Sequence, residues 1–120
     1  MGENRRFSVA TERVHSSDIV VVVVTGDVDL GTAPDFEDEL GRAVEDGLDA
    51  GLVIDLTEVS FIDSTGLNAL VRAFERQRLA GEGLALVSDD SRVAMMLEVT
   101  RLDRVLHRYP TRDEALAAVA

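Results

Sequence analysis

The sequence predicts an α/β fold: a single domain over residues 1–120, with a mixed, mostly parallel sheet of four to five strands, an N-terminal hairpin and about four helices packed mainly on one face. Three observations carry this. The runs I-V-V-V-V-V from residue 19 and L-V-I-D-L from residue 52 are β-branched or aliphatic almost throughout, and such strands need cover on both sides. Around them the apolar spacing lengthens to three and four residues, the period of an amphipathic helix. With 120 residues, 46% of them hydrophobic, the chain is long enough to bury one core without disulfide staples.

The elements follow in order. Phe7, Val9 and Thr11 alternate with polar or small neighbours, which predicts a half-exposed edge strand. The turn-prone H-S-S-D at 15–18 joins it to the strand from residue 19, forming a hairpin whose second strand lies inside the sheet and ends at Gly26. Thr32-Ala33-Pro34-Asp35 offers a capping hydroxyl, an early-helix proline and first-turn acid. Phe36, Leu40, Ala43, Val44 and Leu48 then recur at helical spacing, so a first helix is expected to end near Gly47. Residues 52–56 form the third strand, interrupted only by Asp55. From Ser64, a stripe of Leu67, Leu70, Val71 and Phe74 opposes Asn68, Arg72, Glu75 and Arg76, and Gly81 stops this second helix. Residues 84–87 make a fourth strand, S-D-D-S caps a helix carrying Val93, Met96 and Leu97, and Val105-Leu106 is expected as a short fifth strand. A capping box from Thr111 to Glu114 opens a terminal helix. Residues 1–5 are too polar to be expected in ordered structure.

Composition removes several classes of function. The net charge is −11 and all twelve basic residues are arginine, a balance opposed to direct nucleic-acid binding. Without lysine there is no Schiff-base or P-loop chemistry, and without cysteine no thiol chemistry or cysteine metal site. His15 and His107 are too few and too isolated for a histidine metal site, and no cofactor is implied. The longest apolar run is far short of the roughly 20 residues that span a bilayer, and no signal peptide is visible, so a soluble cytoplasmic chain with no membrane partner is expected. The densest acid, Asp35, Glu37, Asp38, Glu39, Glu45 and Asp46, is either a solvated helix face or a docking surface for a basic partner.

The segment F-I-D-S-T-G-L at 61–67 places an acid and two hydroxyls where an apolar strand and loop give way to a helix. A helix N-terminus has unpaired N–H groups and a positive dipole end, so a phosphate on Ser64 is tolerated there. Strands laid down in sequence with right-handed crossovers bring residues 27–32 and 57–63 to one sheet edge, which Asp29, Thr32, Asp63 and Ser64 would share. Asp63 suits the helix N-cap, accepting from the Thr65 or Gly66 amide. Ser64 is a cap or a modification site, and Thr65 a possible second acceptor. Gly66 either lets a partner approach or relieves crowding against the sheet. Of Asp27 and Asp29, one is expected to face solvent and the other a turn or the Ser64 edge. Thr32 is expected to cap its helix while bordering the same surface.

Three segments, T-G-D-V-D-L-G-T-A from residue 25, V-I-D-L-T-E-V-S-F-I-D-S-T-G-L from residue 53 and G-E-G-L-A-L-V from residue 81, resemble the STAS domain family, and within it the stand-alone anti-sigma factor antagonists. The resemblance implies that Ser64, after Asp63, is phosphorylated by a partner anti-sigma factor acting as a serine kinase. It implies partner switching in the bacterial stress response. The unphosphorylated antagonist binds the kinase and frees a sigma factor, phosphorylation ends that binding, and a phosphoserine phosphatase restores it. Asp29 matches the family's acidic position in its loop; the expected partner surface is Asp29, Thr32, Asp63, Ser64, Thr65, Gly66 and Asn68, on a chain that is a monomer or weak dimer when free. STAS-like domains also serve as scaffold subunits of stress-signalling assemblies and as components of membrane-transport systems, which is the alternative. An enzymatic reading, with Ser64 as nucleophile and His107 as base, fails because a nucleophile elbow needs glycine where Ile62 stands.

Overall fold

The computed structural model describes residues 6–14, 18–46 and 50–119. The expected disorder of 1–5, the hairpin turn at 15–17 with His15, and the helix end at Gly47 and Leu48 lie outside the described residues. Five strands form one sheet in the order β1-β2-β3-β4-β5. β1 (Ser8–Val14) pairs antiparallel with β2 (Ile19–Thr25), from Ser8 opposite Thr25 to Val14 opposite Ile19. β3 (Gly51–Glu58), β4 (Leu84–Val87) and β5 (Arg108–Tyr109) each run parallel to the strand before.

The crossovers explain the layering. Helices α1 (Ala33–Asp46), α2 (Ser64–Leu79) and α3 (Ser91–Val99) each join two parallel strands, and right-handed connections place them together on one face. There Val20, Val22, Leu52 and Ile54 meet Phe36, Leu40, Leu67, Leu70 and Leu97. Because side chains alternate across a strand, Ile19, Val21 and Val53 point the other way. They are covered by the terminal helix α4 (Arg112–Val119) through Ala115, Leu116 and Val119. Unlike α1, α2 and α3, α4 does not join two of the described strands, and it covers the face that those helices leave bare.

The last strand differs from expectation. Val105 and Leu106 are not a strand; a 3-10 helix at Leu102–Arg104 precedes them and β5 comes at Arg108–Tyr109. Leu106 is fully buried as a plug, while β5 pairs through its backbone: the Leu86 amide donates to the His107 carbonyl at 2.9 Å and the Ser88 amide to the Tyr109 carbonyl at 3.0 Å. Apolar character therefore marked burial here and not pairing. The α2 stripe is also wider than its large residues imply, since Ala69, Ala73 and Gln77 are buried with it. Gln77 donates to the carbonyls of Ala50 and Gly83 at 3.0 and 2.9 Å, which satisfies a side chain only 2% exposed. Gly81, at φ +75°, supplies the left-handed residue that ends the helix, and the Thr111 hydroxyl accepts the Glu114 amide at 3.2 Å to start α4.

Candidate functional site

The loops after β2 and β3 are bound to each other. Val28 and Ile62 form an isolated parallel bridge in which the Val28 amide donates to the Phe61 carbonyl at 2.9 Å and the Asp63 amide to the Val28 carbonyl at 3.0 Å. Both bridge residues are buried, so the two loops continue the β2–β3 pairing beyond a register shift at Val23/Thr25. Asp29, Thr32, Asp63 and Ser64 consequently lie along one edge, at the carboxyl ends of adjacent parallel strands.

Asp63 is the N-cap of α2, in extended conformation at φ −98° and ψ −173°. One of its carboxylate oxygens, Oδ1, accepts from the Thr65 amide at 3.0 Å, the Gly66 amide at 3.2 Å and the Thr65 hydroxyl at 2.5 Å. The Thr65 hydroxyl, aided by the amides of Gly66, Thr65 and Leu30 and opposed by partial burial, holds the carboxyl below its ordinary range. Two of the first-turn amides expected to be available to an anion, those of Thr65 and Gly66, are thus already engaged by Asp63.

Ser64 is the first helical residue; it is exposed, and its hydroxyl has no hydrogen-bond partner among the described residues. Thr65 is half-buried and its hydroxyl is committed to Asp63, which separates the two candidate acceptors. Gly66 is buried, and a Cβ there would stand 2.6 Å from Val28 Cγ1 and 2.7 Å from Ile62 Cγ1. Of its two possible roles, the internal one holds: the glycine lets α2 start against the loop bridge. Asn68, one turn on, is exposed.

The other loop is built around Asp29. Its Oδ1 accepts from the Gly31 amide at 2.9 Å and the Thr32 amide at 3.2 Å, an Asx-type turn. The Thr32 hydroxyl donates to the Asp27 carbonyl at 2.8 Å and accepts from the Asp29 amide at 3.0 Å. It points back into the loop and does not cap α1, contrary to expectation. Asp27 is the exposed member of the pair and Asp29 the half-buried one.

Two features escaped sequence analysis. Leu30 and Phe61, 75% and 49% exposed, flank the edge as apolar side chains in water. Their signal was positional: each lies in a loop at the carboxyl end of a strand, where no helical or strand period accounts for an apolar residue. The second is a groove of about 350 Å³ between the start of α1 and α2, lined in part by Leu30, Pro34, Thr65 and Asn68. Among the described residues, no group of three or more His, Asp or Glu is placed to hold a metal ion, and no helix is long and apolar enough to cross a membrane.

Comparison with known proteins agrees with this geometry. The STAS domain profile matches residues 10–115. An anti-sigma-B factor antagonist of Listeria monocytogenes is 36% identical over 91 residues, covering 75% of this chain and 78% of the relative. An anti-sigma-F factor antagonist of Mycobacterium tuberculosis is 31% identical over 103 residues, covering 84% and 81%. Among solved structures, an anti-sigma factor antagonist from Mycobacterium paratuberculosis superposes with a TM-score of 0.84 at 33% identity, over 95% of this chain and 94% of the other. With the mixed, mostly parallel sheet, the bridged loops and the capped D-S-T-G turn in place, the chain belongs to the STAS domain family, among the anti-sigma factor antagonists.

Proposed function

We propose that this protein binds an anti-sigma factor kinase, thereby releasing a sigma factor, and that phosphorylation of Ser64 by that kinase ends the complex. The observation that carries the reading is the Ser64 hydroxyl, exposed and unpaired at the first turn of α2 while its neighbour Thr65 is engaged with Asp63. The names of the Listeria and Mycobacterium relatives support the antagonist role; the geometry supports the choice of acceptor.

In the transfer, the Ser64 oxygen bonds to the γ-phosphorus of ATP, the bond to ADP breaks, and the hydroxyl proton passes to a base supplied by the kinase. Chemistry thus resides in the partner, and this chain is substrate and ligand rather than enzyme. A phosphoserine phosphatase reverses the modification by hydrolysis. The partner surface consists of Ser64 with Asp63, Thr65 and Asn68 on one loop and helix turn, and Asp29 and Thr32 on the other; Gly66 supports it from beneath. The protein acts in the cytoplasm, where its kinase and sigma factor work.

The test is intact-mass and peptide mass spectrometry of the protein from its own cells, with and without phosphatase treatment. Phosphate on Ser64 whose occupancy changes under stress supports the switch. An unmodified Ser64 under all conditions, together with elution in a megadalton particle or a membrane-transporter complex, replaces it with the scaffold or transport role.

A further inference from the structure

The groove between α1 and α2 adjoins Ser64 and lies within reach of a kinase that engages this hydroxyl. A stable interface buries about 800 Å² on each partner, many times the area of one serine, so a protein seated on Ser64 extends across its surroundings. Thr65 and Asn68 belong both to the serine's helical turn and to the groove, which makes the groove the adjoining surface. Its walls carry Leu30 and Pro34 on one side and Arg72 on the other, with Glu37 and Asp38 on α1.

The charges within it are not balanced. Arg72 pairs with Glu37 across the two helices, so the one cation lining the groove is already neutralised. Asp38 is exposed and has no ionic partner among the described residues. Of the remaining acid on α1, Glu39 is paired with Arg42 and Glu45 with Arg76, which leaves Asp35 near Asp38, and Asp46 at the far end of the helix, without an ion pair among the described residues. The groove therefore offers an apolar contact at Leu30 bordered by net negative charge, on a chain of net charge −11.

We infer that the groove between α1 and α2 receives a basic segment of the kinase, with an aliphatic side chain against Leu30 and Pro34 and an arginine or lysine directed at Asp38. This inference rests on the reading of the chain as a kinase-regulated antagonist, and it adds a division of labour. The groove selects which kinase docks, through shape and charge that do not change with phosphorylation, while Ser64 determines when it leaves. A like-charged or bulky segment is rejected at the groove whatever the state of the serine.

The experiment uses the full chain and the ATP-binding anti-sigma factor that co-purifies with the Ser64→Ala protein, expressed and purified separately. Binding is titrated by calorimetry with ADP present, at low and at moderate salt, for the wild type, Ser64→Ala, Leu30→Asp and Asp38→Lys; melting curves confirm that each variant is folded. Leu30→Asp and Asp38→Lys are expected to weaken binding about tenfold or more, and Asp38→Lys to flatten the salt dependence that the wild type shows. If both bind like the wild type while phosphorylation of Ser64 still abolishes the complex, the groove inference is overturned and the kinase reading stands. If the purified factor neither binds Ser64→Ala nor phosphorylates Ser64, the kinase reading itself fails, and the groove loses its occupant with it. Self-association of the wild type that Leu30→Asp removes, with kinase affinity unchanged, would assign the groove to a second copy and also overturn the inference.

Discussion

At the scale of single residues, the site is a contrast between neighbouring hydroxyls. Thr65 is held by Asp63 while the Ser64 hydroxyl has no partner among the described residues, so one step along the chain separates an engaged hydroxyl from a free one. Ser64→Ala is expected to bind the kinase constitutively and Ser64→Asp poorly. A unit charge facing another at about 5 Å, at an effective dielectric of 20, is worth roughly 3 kcal/mol, or about 100-fold in affinity. Surface plasmon resonance with the two variants checks this, and equal affinities would count against a charge switch. Gly66→Ala tests the floor of the site. Its methyl would meet Val28 and Ile62 at distances no carbon pair tolerates, so the substitution should cost about 1–3 kcal/mol in a urea titration. Tolerance of that alanine with unchanged stability would mean that the bridged loops can yield.

At the scale of elements, the least anticipated arrangement is the attachment of α4. Asp55, 7% exposed in the middle of β3, accepts from the Arg112 guanidinium at 2.8 Å and from the Thr57 amide at 2.9 Å, and is hydrogen-bonded by the Thr57 hydroxyl. Burial pushes the carboxyl up, but the Thr57 hydroxyl, Arg112 and the Thr57 amide together hold it below the ordinary 3.8. A folded-state value below the unfolded one stabilises the protein fully above the unfolded value, and the contribution is lost as pH falls through the folded one. Thermal stability should therefore decline as the medium becomes more acid than about pH 4, and Asp55→Asn should flatten that limb while lowering stability at neutral pH. Arg112→Ala should raise hydrogen exchange in α4 selectively, because the helix contributes one buried residue and relies on this anchor and on Val119 packed over Gly51 and Gly83. Protection in α4 equal to that in α2 would show that packing alone suffices. The legibility of the elements follows the same physics. β2, β3 and α2 were readable because their apolar patterns are long, and the Asp63 cap because its chemistry is local. Asp55 looked like an interruption in a strand, since its partner Arg112 lies 57 positions away and no local pattern connects them. Thr32 misled for a related reason: a cap and a loop tie use the same hydroxyl, and the Asp27 carbonyl that claims it becomes available only when the loop folds back.

At the scale of the whole molecule, acid dominates. With 23 acidic and 12 basic residues, repulsion opposes the compact state, and most visible ion pairs are exposed bridges of small individual worth. Moderate salt should consequently raise the melting temperature while weakening association with a basic partner, two opposite responses from one cause. A melting series in sodium chloride, run beside the binding titrations, separates them. A melting temperature that falls with salt would show that the surface pairs outweigh the repulsion.

The bridge between Val28 and Ile62 has a further consequence for information storage. Because the two loops are hydrogen-bonded to each other and rooted in the core, the phosphate proposed for Ser64 would be added to a surface whose backbone is already fixed. Writing and erasing the mark then require no refolding of the carrier. Under the proposed switch, the same molecule would pass through many rounds of signalling, and its memory would last as long as the phosphoester did.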